Sequence, residues 1–162
     1  MDKLVKKAQR GDTEAFIALL EENKMALRRV AFGYLGNDED VADAIQDTIL
    51  DAFEHIRELR KAEYFKTWLV RILINNCTRM YRKNKNRVSL EEVRDMGVYD
   101  RRTAEVEFIQ LLCSLPEESR TIFQLYYGER FTTKEIAEIL DMKENTVKSR
   151  LHRGKELLRA QV

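Results

Sequence analysis

Thr132-Thr133-Lys134-Glu135-Ile136-Ala137-Glu138-Ile139-Leu140-Asp141-Met142-Lys143-Glu144-Asn145-Thr146-Val147-Lys148-Ser149-Arg150-Leu151-His152-Arg153-Gly154-Lys155 has the clearest local syntax in the chain. Thr132 with Glu135 three residues on is a capping box, in which each side chain serves the other's backbone N–H at a helix start. Ile136, Ala137, Ile139 and Leu140 then make the apolar face of a short helix. Asp141–Asn145 reads as a turn, and Val147, Leu151, Leu157 and Leu158 define a last helix. Its outward face offers Lys148, Ser149, His152, Arg153 and Lys155. A short helix, a tight turn and a donor-rich second helix describe a helix-turn-helix DNA reader. Small Ala137 lets the two helices cross closely, and the donors suit base edges and phosphates. An ordinary helical hairpin with a basic solvent face fits the same segment.

Upstream, Ser114-Leu115-Pro116-Glu117 reads as a helix start with proline in the first turn. It leads into Arg120–Tyr127 and stops at Gly128, with Tyr126 and Tyr127 expected in a second core. Residues 86–103 lose helical periodicity, so residues 88–103 read as a flexible linker between domains at 1–87 and 104–162.

The first domain reads as a four-helix bundle. A short helix covers residues 2–10. Asp12 caps a second helix carrying Phe16, Leu19, Leu20, Leu27, Val30, Ala31 and Tyr34, which stops at Gly36. Asn37 caps a third, with Asp38, Glu39 and Asp40 in the turn that the helix dipole makes favourable for acids. Its inward stripe reads Val41, Ala44, Ile45, Ile49, Ala52, Phe53 and Ile56. After a polar break at Arg57–Glu63, a fourth helix runs from Phe65 to Lys83, with Trp68, Leu69, Ile72, Leu73 and Asn76 along one face. Trp68 and Phe65 are expected in the core. The fold class is therefore all-α: two small helical domains, the C-terminal one a helix-turn-helix.

Charge is distributed unevenly along the chain. The whole carries +1, yet residues 36–58 hold eight acids against one Arg, and residues 60–87 hold nine bases against one Glu. Adjacent surfaces of opposite sign suit two different partners, although clustered solvated helix faces give the same pattern. Cys77 and Cys113 belong to no CxxC or Cys/His cluster, so neither a metal site nor a disulfide is expected. Both read as buried thiols in a reducing cytoplasm. No apolar run approaches a membrane span, and the first residues lack the apolar stretch of a signal peptide. There is no Gly-rich phosphate loop, no Ser/His/Asp arrangement and no ligand cluster, so no catalytic residue, cofactor, metal or small-molecule substrate is expected.

Several of these segments together resemble the extracytoplasmic-function sigma factors, which give RNA polymerase its promoter specificity. Glu135-Ile136-Ala137 with Thr146 through Lys155, and the lead-in Leu115-Pro116-Glu117-Glu118-Ser119-Arg120, resemble region 4. Asp43-Ala44-Ile45-Gln46-Asp47-Thr48 with Ala52-Phe53 resembles region 2.2. Phe65-Lys66-Thr67-Trp68-Leu69-Val70-Arg71-Ile72 with Asn75 resembles regions 2.3 and 2.4. The motifs fall in family order over most of residues 5–85 and 104–160.

The resemblance implies roles. Asp43, Gln46, Asp47 and Leu50 match the surface that docks on the clamp helices of core polymerase, whose flap region is a further expected contact. The loop Leu59–Tyr64, with Lys66, Arg71, Asn75 and Arg79, matches the part that opens the −10 element and holds an extruded base. Lys148, Ser149, Arg150, His152 and Arg153 match the helix that enters the −35 major groove. The family relation also implies a membrane-bound anti-sigma factor, with the protein cytoplasmic or held at the inner face of the membrane.

Departures from the family pattern are visible. Asp141 and Asn145 stand at turn positions that are often glycine, and both tolerate left-handed backbone. Arg71 and Ile72 occupy the places of the tryptophan pair in primary sigma factors, which implies weaker intrinsic melting. There is no expected room for region 3 or an autoinhibitory N-terminal segment. A repressor or activator that dimerises through residues 1–85 and uses only the C-terminal reader is the alternative class, and an anti-sigma-like partner protein a third.

Overall fold

The computed structural model describes residues 1–84, 107 and 110–160. Among them every regular element is helical, in keeping with the all-α expectation. The chain divides into two compact units, Met1–Asn86 and Arg87–Val162. The whole of the expected linker, residues 88–103, lies outside the described residues.

In the N-terminal unit, α1 (Asp2–Gln9) is followed by α2 (Thr13–Leu35), whose cap Asp12 accepts from the Ala15 N–H at 3.1 Å. Gly36 closes α2 with a left-handed φ of 72°, and its N–H reaches the Phe32 carbonyl. Asn37 then caps α3 (Asp38–His55) by accepting from the Asp40 N–H at 2.8 Å. Two single 3-10 turns, Ile56–Glu58 and Ala62–Tyr64, carry the chain into α4 (Phe65–Asn84). The Gln9 side-chain amide donates to the carbonyls of Ile56 at 2.9 Å and Leu59 at 2.8 Å, so α1 fastens the start of this connection. Phe65 is wholly buried at its end, a contribution of about 2–3 kcal/mol from transfer alone.

Helix α2 packs against α1, α3 and α4, and α3 packs against α4. The core holds Val5, Phe16, Leu19, Leu27, Val30, Ala31, Leu69, Leu73 and Cys77. On α3 the buried positions are Val41, Ala44, Thr48 and Ala52, a seam of mostly small residues. This corrects the sequence-based stripe. Ile45 and Ile49 are half-buried, and Phe53 is 54% exposed, meeting Phe16 edge-on at 5.3 Å. The neighbouring helix approaches along the small side chains, which leaves the large ones at the rim. Trp68 is likewise half-buried against Phe65, and Leu20, Tyr34 and Ile72 are half-buried too.

In the C-terminal unit, Pro116 precedes α5 (Glu117–Phe123), which runs into a π-turn at Gln124–Gly128. The sequence reads as one continuous helix there. The wider turn is closed by the Glu129 N–H on the Gln124 carbonyl, five residues back. Helices α6 (Thr133–Leu140) and α7 (Glu144–Ala160) follow, and α7 packs on both α5 and α6. The core is Leu115, Ile122, Phe123, Leu125, Phe131, Ile136, Ile139, Val147 and Leu151.

Four expectations change in this unit. Tyr127 is 45% exposed: within the π-turn its ring meets Phe123 and Tyr126 but is not enclosed by the core. Leu157 is exposed and Leu158 half-buried, since the core side of α7 is spent by Gly154. Asn145 lies within α7 rather than in the turn. Cys113 is exposed, because Leu112 and Leu115 take the inward side of its segment.

The two thiols therefore differ in kind. Burial pushes the Cys77 thiol up to about 12, so its thiolate is scarce at ordinary pH. A thiol-titrating reagent at pH 8 is expected to modify Cys113 in the native protein and Cys77 only after unfolding. Two equally fast thiols under native conditions would contradict this burial.

Candidate polymerase and nucleic-acid interfaces

Helix α3 turns Asp43, Gln46, Asp47 and Leu50 to solvent, Leu50 being 57% exposed. Their spacing of three, four and seven residues puts them on one face, opposite the small-residue seam. The exposed ring of Phe53 continues the same face, an extension that hydrophobicity counting had assigned to the core.

Helix α4 turns Arg71, Asn75 and Arg79 outward, four residues apart, so these three share a stripe. Lys66 is half-buried one turn earlier and lies off that stripe. Arg82, exposed and three residues after Arg79, extends it, a continuation the motif-based reading passed over. Asn76, next to Asn75, has the opposite fate. It is buried among α3 side chains, donating to Thr48 Oγ1 and Asp51 Oδ2 at 3.1 Å each. In the preceding connection, Tyr64 is 42% exposed with the Lys61 ammonium 5.8 Å from its ring centre.

The C-terminal unit builds its candidate reader from a cap, a turn and a close contact. The capping box is complete: the Glu135 N–H donates to Thr132 Oγ1 at 3.1 Å and the Thr132 N–H to Glu135 Oε2 at 2.8 Å. Asp141 ends α6 with a left-handed φ of 52°, a backbone region that aspartate tolerates better than most residues, as expected at this turn position. Thr133 Oγ1 then donates to Glu144 Oε1 at 2.9 Å across the turn, tying the first turn of α6 to the first turn of α7. That hydrogen bond, aided by the Lys148 ammonium 3.5 Å away, holds the Glu144 carboxyl below the ordinary carboxylate range.

On α7, Lys148, Ser149, His152 and Arg153 are exposed and Arg150 is half-buried. Val147 and Leu151 point inward, so the donors face out as the periodicity requires. Gly154 sets how deeply α7 sits. A Cβ there would lie 2.2 Å from Cε2 and 2.6 Å from Cζ of Phe123, whose ring is itself buried. Lys155 lies beyond, its ammonium 5.9 Å from the exposed Tyr127 ring.

Family models match both units: sigma-70 region 2 over residues 19–87 and sigma-70 region 4 over residues 105–158. The chain is 31% identical to the RNA polymerase sigma factor SigV of Bacillus subtilis, with 90% of each chain covered. The chain belongs to the extracytoplasmic-function sigma factors. It is 29% identical to the ECF sigma factor SigW of the same organism, over 99% of this chain and 95% of that one. Among solved structures it is similar to CnrH in complex with the cytosolic domain of CnrY, with a TM-score of 0.75 and 25% identity over 99% of this chain and 95% of that one. The fold is also that of the sigma factor RpoE from Bartonella quintana, determined with the anti-sigma factor NepR, at a TM-score of 0.73 and 24% identity over 91% and 96%. As a sigma factor this protein binds core RNA polymerase and promoter DNA and directs promoter-specific initiation; it is an initiation factor and not an enzyme. Membership of this family decides against the dimeric repressor.

Gly154→Ala is expected to destabilise the C-terminal unit by about 1–3 kcal/mol, the usual cost of overpacking. Helix propensity alone would favour alanine by about 1 kcal/mol. Thermal unfolding distinguishes the two: a raised melting temperature would mean that the Phe123 contact relaxes freely.

Proposed function

We propose that the stripe on α4 is the −10 surface, that the outward side of α7 is the −35 surface, and that the outer face of α3 is the polymerase surface. In this reading Asp43, Gln46, Asp47 and Leu50 dock on the clamp helices, and the C-terminal unit meets the flap region. Arg71, Asn75 and Arg79 track the non-template strand, with Lys66 at their edge. Asn75 is the base contact, for which an exposed amide on a basic stripe is chemically apt. Lys148, Ser149, Arg150, His152 and Arg153 read the −35 major groove and its phosphates. The domain limits proposed for this division of labour are 1–87 and 104–162, with 88–103 as the tether.

The observation that carries the reading is the polarity of the helix pair. Helix α3 exposes Asp43, Asp47, Gln46 and Leu50, and α4, packed against it, exposes Arg71, Arg79 and the Asn75 amide. One pair thus offers separate surfaces of opposite charge, as binding two different macromolecules requires.

Control by an anti-sigma factor completes the proposal. The similar CnrH was determined in complex with the cytosolic domain of CnrY, and RpoE with the anti-sigma factor NepR, which supports such control. A membrane-anchored inhibitor of this kind would keep the present protein at the cytoplasmic side of the membrane. Among the described residues no helix is long and apolar enough to cross a membrane, so tethering would fall to the partner.

Purified protein mixed with core polymerase is expected to give run-off transcripts from a two-element promoter, while the protein alone binds duplex promoter weakly. Arg153→Ala is expected to weaken −35 recognition by about 1–3 kcal/mol, as for a lost base-edge contact. Equal loss on every DNA sequence would assign Arg153 to phosphate alone. Failure to assemble with core polymerase would remove the polymerase surface from the proposal.

A further inference from the structure

Asn76 sits where the acidic and basic helices touch, 3% exposed. Its two amide protons go to α3, one to Thr48 Oγ1 and one to Asp51 Oδ2, each at 3.1 Å. The Thr48 hydroxyl can accept because its own proton is committed to the Ala44 carbonyl at 2.7 Å. The Asn76 carbonyl oxygen in turn accepts from Arg79 Nη2. Both donors of the amide and its acceptor are thus occupied. The arrangement has only one sense. Turned over, the amide would set its oxygen against the Asp51 carboxylate and its protons against a guanidinium. The wholly buried Thr48 holds it from below.

Arg79 is the end of this chain of bonds, and it is exposed. A long exposed arginine ordinarily samples many rotamers, and binding DNA requires it to give them up. An anchor on Nη2 restricts that freedom before DNA arrives and leaves the planar fork its other donors.

We infer that Asn76 is a positioning residue for promoter opening: buried and out of reach of DNA, it holds the Arg79 guanidinium in place from the α3 side. The inference rests on the assignment of Arg79 to the −10 surface.

A double-mutant cycle in the holoenzyme tests it. Open-complex formation is measured for the unaltered protein, Asn76→Ala, Arg79→Ala and the double variant, with core affinity and thermal unfolding followed in parallel. Asn76→Ala is expected to slow opening roughly threefold to tenfold when Arg79 is present and less than twofold when it is absent, a coupling of the size seen between contacting polar groups. The same loss in both backgrounds would overturn the inference, because Asn76 would then serve packing alone. A fall in core affinity that accounts for the whole effect would overturn it as well. If Arg79→Ala opens promoters normally, the −10 assignment of Arg79 fails, and this inference with it. Should Asn76→Ala not stay folded, Thr48→Val takes its place in the cycle under the same criteria, since it removes the hydroxyl that anchors Asn76.

Discussion

The N-terminal unit depends on how closely α3 and α4 approach one another. Ala44, Thr48 and Ala52 are buried on α3, Phe65, Leu69, Leu73 and Asn76 are buried on α4, and Thr48 meets Asn76 between the two helices. Small side chains on one partner let the other's large ones fill the space without voids, as dense packing requires. The consequence is electrostatic as much as steric. With their inner sides committed, the two helices must show their charges outward. An acidic surface and a basic one can then coexist in fewer than ninety residues, apart from the one polar thread through Asp51, Asn76 and Arg79.

The C-terminal unit solves a different problem, which is to hold a helix firmly while leaving its outward donors bare. The capping box starts α6, left-handed Asp141 turns the chain, and the Thr133–Glu144 bond clips the two helix starts together. The exposed Glu144–Lys148 pair adds little energy. Burial of Val147 and Leu151 supplies the hold, and Gly154 lets the Phe123 ring lie against the helix backbone.

Much of this was legible in the sequence because caps and glycines act locally. Asp12, Asn37, Gly36 and the Thr132–Glu135 box each sit where short-range rules place them. The faces were legible where charged and aliphatic side chains separate cleanly, as over Val147–Arg153 of α7. Where burial follows helix–helix distance instead, hydrophobicity misleads. Phe53 and Tyr127 are large, apolar and exposed, while Thr48 and Asn76 are polar and buried. Helical spacing placed Asn76 on the apolar face and Asn75 off it, but not the partners 25 and 28 residues away that satisfy the buried amide. The π-turn at Gln124–Gly128 was hidden too: the sequence marks the stop at Gly128 but not the change from four-residue to five-residue hydrogen bonding before it.

The contact between Gly154 and Phe123 separates what can drift from what cannot. Under the −35 assignment proposed above, exchanges along the outer rim of α7 would change the DNA letters preferred without touching the core. The rotational phase of that helix is constrained, since any side chain at position 154 would push against the buried Phe123 ring. Such a module can acquire a new vocabulary while keeping one grammar, with the glycine as the fixed point about which its lexicon turns.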